Sequence, residues 1–270
     1  HVRSRRQRQM CIRDRNNMDE LQRPGGELAS RPLHFFWVVD CSGSMISDGK
    51  MGIVNNAIQE CIPAMESEAD NNPNAQLLVR ALQFSTGASW ITASPVPVES
   101  YGWEPLEAGG VTDMGKAFEL LAAQLSIPPM PARALPPVIV LLSDGQPTDD
   151  YKKGLEKLKK LPWFKKSVKI AISIGRDADD DVLVEFTGNR ELVLQANNPT
   201  ALVKMIKWAS TTASMVSAPS SKPVNVDDAS NSDGLAGSGD PFAPANNSAP
   251  LILDMSNIPN PDDFDEGAVW

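Results

Sequence analysis

A continuous apolar run that stops at small polar residues constrains this chain more than any other feature. The run FFWVV at Phe35–Val39 is apolar at every position, which predicts a strand buried on both faces of a sheet. It leads into DCSGS, which supplies the Asp40 carboxylate and the hydroxyls of Ser42 and Ser44. Such hard oxygen donors suit Mg²⁺, Ca²⁺ or Mn²⁺ and suit Zn²⁺ poorly.

Two later segments carry the same kinds of oxygen donors. The sequence GGVTDMG at residues 109–115 offers the Thr112 hydroxyl just before a predicted helix. A second apolar strand, at residues 138–143, leads into Asp144 and the turn residues that follow it. Because the loops at the carboxyl ends of parallel strands converge on one crevice, we expect these donors to meet.

The order Asp-x-Ser-x-Ser, then Thr, then Asp after a strand resembles the metal-ion-dependent adhesion site of von Willebrand factor type A (VWA) domains. The resemblance spans residues 33–215 and points to bacterial stand-alone VWA proteins, including those associated with tellurium resistance. It implies that Ser42, Ser44 and Thr112 bind a divalent cation directly, with Mg²⁺ first and Mn²⁺ or Ca²⁺ as alternatives. It also implies that Asp40 and Asp144 act close by, one or both through water, and that a partner protein's carboxylate completes the coordination shell.

Hydrophobic periodicity places these motifs on alternating strands and helices. The predicted strands are 33–40, 75–84, 88–93, 138–143, 168–174 and 191–194, and the predicted helices are 47–69, 114–126, 151–161, 179–186 and 200–215. Pro63 should kink the first helix or end its regular part. The alternation predicts an α/β fold with a doubly wound, mostly parallel central sheet flanked by helices, as in the Rossmann-like VWA fold.

Composition excludes several classes of protein. A chain of 270 residues that is 41% hydrophobic can form one domain with a substantial core. The net charge of −9 argues against general nucleic-acid binding, and the absence of a long apolar stretch argues against a membrane protein. The N-terminus lacks the apolar region of a secretory signal, and the three cysteines form no disulfide framework, so a cytoplasmic setting is expected.

The two ends of the chain differ from its body. Residues 1–17 hold six Arg and one Asp and are predicted to be a non-native or disordered basic arm, followed by a lead-in at 18–32. The VWA domain is predicted at 33–217. Residues 218–270 are acidic and rich in Ser, Asn and Pro, which predicts a largely disordered tail. That tail is a candidate ligand either for the metal site or for a basic patch formed by Lys152, Lys153, Lys157, Lys159, Lys160, Lys165 and Lys166.

Each motif also has a plainer interpretation. Asp40 with Ser42, and Thr112 with Asp113, could be ordinary helix N-caps, and Asp144 could belong to an ordinary turn. Three nearby acids are interpreted as solvated loop or helix-start residues, namely Asp48, Asp149 and Asp150. Cys41 is interpreted as a small buried filler, and His34 as a strand residue. The lysine patch is interpreted as a solvated face.

These observations predict a metal-dependent protein-binding module that is not an enzyme, acting as a cytoplasmic scaffold or adaptor. For the tellurium-resistance type, the resemblance implies kinase and phosphatase partners. Two alternatives remain open at this stage. One is a Mg²⁺-dependent phosphohydrolase that uses Asp40 as its nucleophile, although Ser42 stands where such enzymes place a second acid. The other is a structural VWA domain with a vestigial site.

Overall fold

The computed structural model describes residues 30–72, 74–144, 146–175 and 178–217. The predictions for residues 1–29 and for the tail at 218–270 lie outside these described residues. Within them, strands and helices alternate along the chain in the predicted manner.

A mixed sheet forms the centre of the molecule. Its strands are β1 (Arg31–Asp40), β2 (Ala75–Ser85), β3 (Gly87–Trp90), β4 (Val96–Pro97), β5 (Val138–Ser143), β6 (Val168–Ile174) and β7 (Val193–Ala196). The strand order is β3-β2-β1-β5-β6-β7, and β4 also pairs with β2. All pairs from β2 through β7 along this order are parallel, whereas β3 and β4 run antiparallel to β2.

Helices cover both faces of the sheet, as the doubly wound prediction requires. They are α1 (Lys50–Asp70), α2 (Met114–Gln124), α3 (Tyr151–Lys160), α4 (Pro162–Lys166), α5 (Asp180–Thr187) and α6 (Pro199–Ser217). Helices α1 and α6 pack on one face, and α2 to α5 contribute to a second apolar cluster on the other. The predicted α/β fold class is therefore confirmed.

The central strand β1 explains the uninterrupted apolar run. Phe35, Trp37 and Val39 belong to the cluster beneath α1 and α6, whereas Phe36 and Val38 belong to the opposite cluster. All five side chains are fully buried. Burying each one contributes about 1.5–3 kcal/mol, so β1 is anchored from both sides and its carboxyl end is held firmly in place.

Most element boundaries agree with the sequence prediction, and the bounds of β5 and β6 match it fully. The predicted start of the first helix was wrong. Residues Gly43–Gly49 form a 3₁₀ segment in which Ser47 and Asp48 are not helical, Asp48 having a φ of 56°. Helix α1 therefore begins at Lys50, and it continues past Pro63 rather than ending there.

Three smaller differences separate the structure from the sequence prediction. The predicted third strand ends early because the carbonyl groups of Thr92 and Ala93 accept hydrogen bonds from the Arg80 side chain. The last strand begins later than predicted, after a 3₁₀ turn at Arg190–Leu192 that the Asn189 side chain caps. The sequence analysis also missed two short elements, β4 and α4.

Candidate functional site

The Asp40 carboxylate lies at the carboxyl end of β1 and is 0% exposed. One carboxylate oxygen accepts a 2.8 Å hydrogen bond from the Ser42 backbone N–H, and the other accepts a 2.6 Å bond from the Ser143 hydroxyl. Ser143 is the last residue of β5, the strand beside β1. These bonds fix the carboxylate between two adjacent strand ends.

The loop after β1 places two hydroxyl groups in contact. The Ser42 and Ser44 Oγ atoms lie 2.9 Å apart, with Ser42 buried and Ser44 exposed. Ser42 occupies the N-cap position of the 3₁₀ segment, but its side chain makes no capping hydrogen bond. The plain N-cap interpretation of this motif is therefore wrong, and the two hydroxyls are paired with each other instead.

Backbone hydrogen bonds join this loop to the one that carries Thr112. The Gly43 N–H donates to the Gly110 carbonyl at 3.1 Å, and the Gly109 N–H donates to the Cys41 carbonyl at 2.7 Å. Gly110 has a φ of 82°, and a side chain there would collide with the Thr86 hydroxyl. Glycine at this position therefore permits the close approach of the two loops.

The loop after β5 is joined to the Thr112 loop in turn. The Thr112 N–H donates to the Thr148 hydroxyl at 3.0 Å, and the Thr148 N–H donates to the Thr112 carbonyl at 2.9 Å. The Asp149 carboxylate accepts hydrogen bonds from the backbone N–H groups of Gly115 and Lys116, at 2.8 and 3.1 Å. Thus a residue from the third loop caps α2.

The nearby acids have the structural roles that the sequence suggested, with one exception. Asp149 is a helix-start acid, although for α2 rather than for the helix that follows it, and Asp150 caps α3 by accepting from Lys153. Asp113 does not cap α2 through its side chain. Its carboxylate instead accepts from the Gly87 N–H and from the Lys116 ammonium group.

Asp144 follows β5 directly and is buried. Among the described residues its carboxylate accepts only a long, 3.5 Å contact from the Gln146 N–H, and its carbonyl accepts a 2.7 Å bond from the Asp179 N–H. Asp144 therefore does take part in a turn, as the plainer interpretation held. That weak contact leaves most of the hydrogen-bonding capacity of its carboxylate unused by the described residues.

Burial dominates the electrostatics of the site. It raises the pKa of Asp40 to about 6, and the negative charge of Asp144 raises it further, while hydrogen bonds from Ser143 and Ser42 oppose the rise. Within the described part of the chain, no lysine or arginine forms an ion pair with Asp40 or Asp144. Two neighbouring acids thus share a buried region without a cationic side chain to balance them.

The donor set fits a hard divalent cation. It comprises two carboxylates and three hydroxyls, the five predicted residues Asp40, Ser42, Ser44, Thr112 and Asp144. No group of three or more His, Cys, Asp or Glu side chains that could hold a metal occurs among the described residues. Cys41 is a buried filler as predicted, because burial raises the pKa of its thiol to about 12 and disfavours the metal-binding thiolate.

Two apolar side chains are exposed beside this donor set. Ile46 follows Ser44 in the first loop and is 63% exposed, and Val111 precedes Thr112 and is 45% exposed. Elsewhere in the described chain, only Ile127 is a comparably exposed large apolar residue. Two of the three exposed large apolar residues of the described chain therefore lie close to motif residues in sequence.

Comparisons with known proteins agree with the fold. No family model and no curated protein matches the chain. Among solved structures, it resembles a von Willebrand factor type A protein from Catenulispora acidiphila, with a TM-score of 0.51 and 16% identity over 68% of this chain and 43% of that one. The chain has the von Willebrand factor type A fold.

Two other solved structures extend the comparison. The pilus adhesin SpaC from Lactobacillus rhamnosus GG has a TM-score of 0.55 and 14% identity, over 70% of this chain and 31% of that one. Proximal thread matrix protein 1 from the mussel byssus, with a zinc-occupied MIDAS motif, scores 0.49 at 16% identity, over 70% and 47%. A TM-score below 0.5 is too low for this structure to support a statement about the present chain. The chain spans less than half the length of each of these structures.

Two features away from the site complete the description. The seven lysines of the basic patch are all exposed, and two of them pair with acids, Lys157 with Glu119 and Lys159 with Glu185. These lysines are thus exposed in the described part of the chain, and binding of the acidic tail to them stays a prediction. No helix among the described residues is both long and apolar enough to span a bilayer.

The sequence analysis missed three residues that organise the site, namely Ser143, Thr148 and Asp149 in its bridging role. Ser143 offered a signal, because a polar residue that ends an otherwise apolar strand needs a hydrogen-bond partner. Thr148 and Asp149 offered none, since their partners are more than thirty residues away.

Proposed function

We propose that this chain is a divalent-metal-dependent protein-binding module. In this proposal Ser42, Ser44 and Thr112 coordinate the cation directly, while Asp40 and Asp144 balance its charge from close by, one or both of them through water. Mg²⁺ is the expected metal, with Mn²⁺ and Ca²⁺ as alternatives. When bound, the metal supplies a partly neutralised positive charge that attracts a carboxylate from a partner.

The observation that carries the proposal is the pair of buried acids at adjacent strand ends. Asp40 and Asp144 have no cationic partner among the described residues, and the Asp144 charge helps to raise the pKa of Asp40. Buried like charges are costly unless something compensates them. A divalent cation beside the hydroxyls of Ser42 and Ser44 would provide that compensation.

The rim of the site supports a protein partner rather than a small ion alone. Ser44 is exposed, so one side of the donor set is open to an approaching Asp or Glu side chain. Ile46 lies two residues after Ser44 and Val111 directly precedes Thr112, and such exposed apolar groups are typical of contact surfaces. We therefore expect a partner that presents an acidic residue next to apolar ones.

The cellular setting is part of the proposal. We infer a cytoplasmic scaffold or adaptor that binds neither nucleic acid nor membrane, in a stress or tellurium-resistance type of system with kinase and phosphatase partners. The support is the resemblance to stand-alone VWA proteins together with the net charge of −9, which disfavours polyanionic ligands.

Hydrolysis of phosphate esters with Asp40 as nucleophile is less well supported. A nucleophilic carboxylate must reach the phosphorus atom, yet Asp40 is fully buried and both of its oxygens accept hydrogen bonds. We therefore infer that the chain is a binding protein and not an enzyme.

Calorimetric titration of the full chain with Mg²⁺, and separately with Mn²⁺, Ca²⁺ and Zn²⁺, tests the proposal. We expect saturable Mg²⁺ binding that Asp40→Ala abolishes and Asp48→Asn leaves unchanged. Asp48 is a suitable control because it is exposed in the neighbouring 3₁₀ segment and has no assigned metal role. No binding by the wild type, alone or with an acidic peptide added, would leave only the vestigial alternative.

A second assay distinguishes the binding-module hypothesis from the phosphohydrolase hypothesis. The wild type and Asp40→Asn are incubated with p-nitrophenyl phosphate and Mg²⁺, and release of the nitrophenolate is followed. We expect no turnover above the buffer rate from either protein. Turnover that the substitution removes would favour the phosphohydrolase.

A further inference from the structure

A second candidate binding site lies away from the strand ends that carry the acids. A cavity of about 430 Å³ lies beside the first halves of β1 and β2, near the end of α2. This volume falls within the range of small-molecule sites. Four polar residues line it, namely His34, Arg80, Ser94 and Gln124, and apolar lining comes from Pro32, Leu78 and Pro129 among others.

Arg80 is a buried charge without a carboxylate partner. Its residue is only 7% exposed, and no acid among the described residues forms an ion pair with it. The guanidinium donates to the carbonyls of Thr92 and Ala93 and to the Gln124 side-chain oxygen, and it stacks 4.1 Å from the centre of the Trp90 ring. All of these partners are neutral, so the positive charge is solvated but not balanced.

Donor groups remain unused around this charge. A guanidinium has five N–H bonds, and four hydrogen bonds from Arg80 to described residues are present, so one N–H on Nη1 is left over. Because Gln124 accepts at its oxygen, its NH₂ group is a separate donor, and that group has no partner among the described residues. Two donors from two cavity-lining side chains are therefore available to one acceptor.

His34 adds a third unpaired polar group to the same cavity wall. It is 4% exposed, and neither ring nitrogen has a hydrogen-bond partner among the described residues. Its ring stacks on Phe36 with a centroid distance of 5.9 Å. Burial lowers the pKa of His34 to about 4, so the ring is neutral at pH 7 and adds no second positive charge to the cavity wall.

We propose that this cavity binds a carboxylate carried on an apolar body. A carboxylate accepts at both oxygens and would balance the Arg80 charge, using the spare donors of Arg80 and Gln124. The proline and leucine side chains of the wall suit a small ring or a branched aliphatic group. The chemistry is shared by free organic acids and by the C-terminal carboxylate of a peptide.

The test uses the full chain in EDTA, so that carboxylate binding at a metal is excluded. Benzoate is titrated against benzamide, its neutral counterpart, and a short peptide ending in free leucine is titrated against the same peptide amidated. Binding is followed through the Trp90 indole N–H signal, assigned by Trp90→Phe. We expect saturable binding of benzoate, of the free peptide, or of both, and none of the amides.

The variants assign the binding to the cavity. Arg80→Gln should weaken carboxylate binding by about 10- to 100-fold, the range for a lost hydrogen bond to a charged group. Gln124→Leu should weaken it by a smaller factor. That second variant keeps the test decisive if the arginine variant does not fold. The matched controls are Arg31→Gln, an arginine at the same end of β1 that does not line the cavity, and Asp40→Ala.

Three outcomes would overturn the proposal. They are no binding of either acid, equal binding of acids and amides, and affinity that neither cavity variant lowers. The result is independent of the proposed metal site, since Asp40→Ala abolishes that site and should leave this one intact. Binding of benzoate alone would identify a free organic acid as the ligand class, and binding of the peptide alone would identify a chain terminus.

Discussion

Replacing Asp40 with asparagine should stabilise the metal-free protein while destroying the proposed site. The substitution removes a buried negative charge and keeps the shape of the side chain. The asparagine oxygen can accept from the Ser42 N–H, as the carboxylate does, and its NH₂ group can donate to the Ser143 hydroxyl. The packing around the residue therefore need not change.

The expected gain follows from the pKa of Asp40. Burial, the largest cause, raises that pKa from the ordinary 3.8 to about 6, so the ionised form is less stable in the folded protein than in the unfolded chain. The difference amounts to about 3 kcal/mol at pH values above 6. Because the folded pKa is the higher one, this destabilisation diminishes as the pH falls from 6 towards 3.8 and disappears below it.

We therefore expect Asp40→Asn to raise the free energy of unfolding in EDTA by about 1–3 kcal/mol at pH 7.5. At pH 4.5 the gain in the free energy of unfolding should shrink to about a third of its value at pH 7.5. Thermal unfolding at the two pH values measures both quantities, with a midpoint increase of about 2–4 °C for each kcal/mol. The exposed Asp48→Asn serves as the control and should change the midpoint little.

Adding Mg²⁺ should make the wild type more stable than Asp40→Asn. At a thousand times its dissociation constant, a bound metal stabilises the wild type by about 4.1 kcal/mol, and the variant gains nothing. A variant less stable than the wild type in EDTA at pH 7.5 would refute the reasoning. So would an advantage that is the same at pH 4.5 and 7.5, since it could not come from the charge of Asp40.

Two further predictions concern the support of the site. Gly154→Ala should destabilise the fold by about 1–3 kcal/mol, because a Cβ there would lie 2.6 Å from the Gly115 carbonyl where α2 and α3 touch. Gly52→Ala, in open space on α1, should instead stabilise it by about 0.5–1 kcal/mol, and urea unfolding measures both. Asp149→Ala should cost about 0.5–2 kcal/mol through the lost cap of α2 and should also weaken Mg²⁺ binding in calorimetry. As the control, Asp150→Ala removes the cap of α3 and should lower stability without weakening Mg²⁺ binding. Equal Mg²⁺ affinity in the two variants would contradict the bridging role of Asp149.

The strands were predictable because their signal is local. Consecutive apolar residues in β1 and β5 reflect burial on both faces of a parallel sheet, and these two strands end at polar residues, Asp40 and Ser143. The sequence therefore located Asp40 and Asp144 at strand ends correctly. Their nearness followed from the general rule that parallel strands end at one edge.

The errors arose where distant groups decide the local conformation. The residues after Trp90 have a strand-like sequence, but the Arg80 side chain binds the carbonyls of Thr92 and Ala93. Likewise, no local pattern could reveal that Asp149 would cap α2 from another loop. The identity of a bound metal depends on such tertiary contacts too, and it remains a prediction for the experiments above.

The capping of α2 by Asp149 bears directly on the choice between the plain and the functional interpretations. A hydroxyl that caps a helix is engaged by backbone N–H groups, and its availability to a cation is then reduced. Here the first N–H groups of α2 are bound by Asp149, while Ser42 makes no cap and contacts Ser44 instead. The start of α2 thus obtains its capping hydrogen bonds from Asp149, and the Ser42 and Ser44 hydroxyls that the motif would need for a metal are not used as caps. Three ordinary turns would not need this division of roles. A metal site would need it, because the hydroxyl oxygens of the motif must stay free to bind the cation.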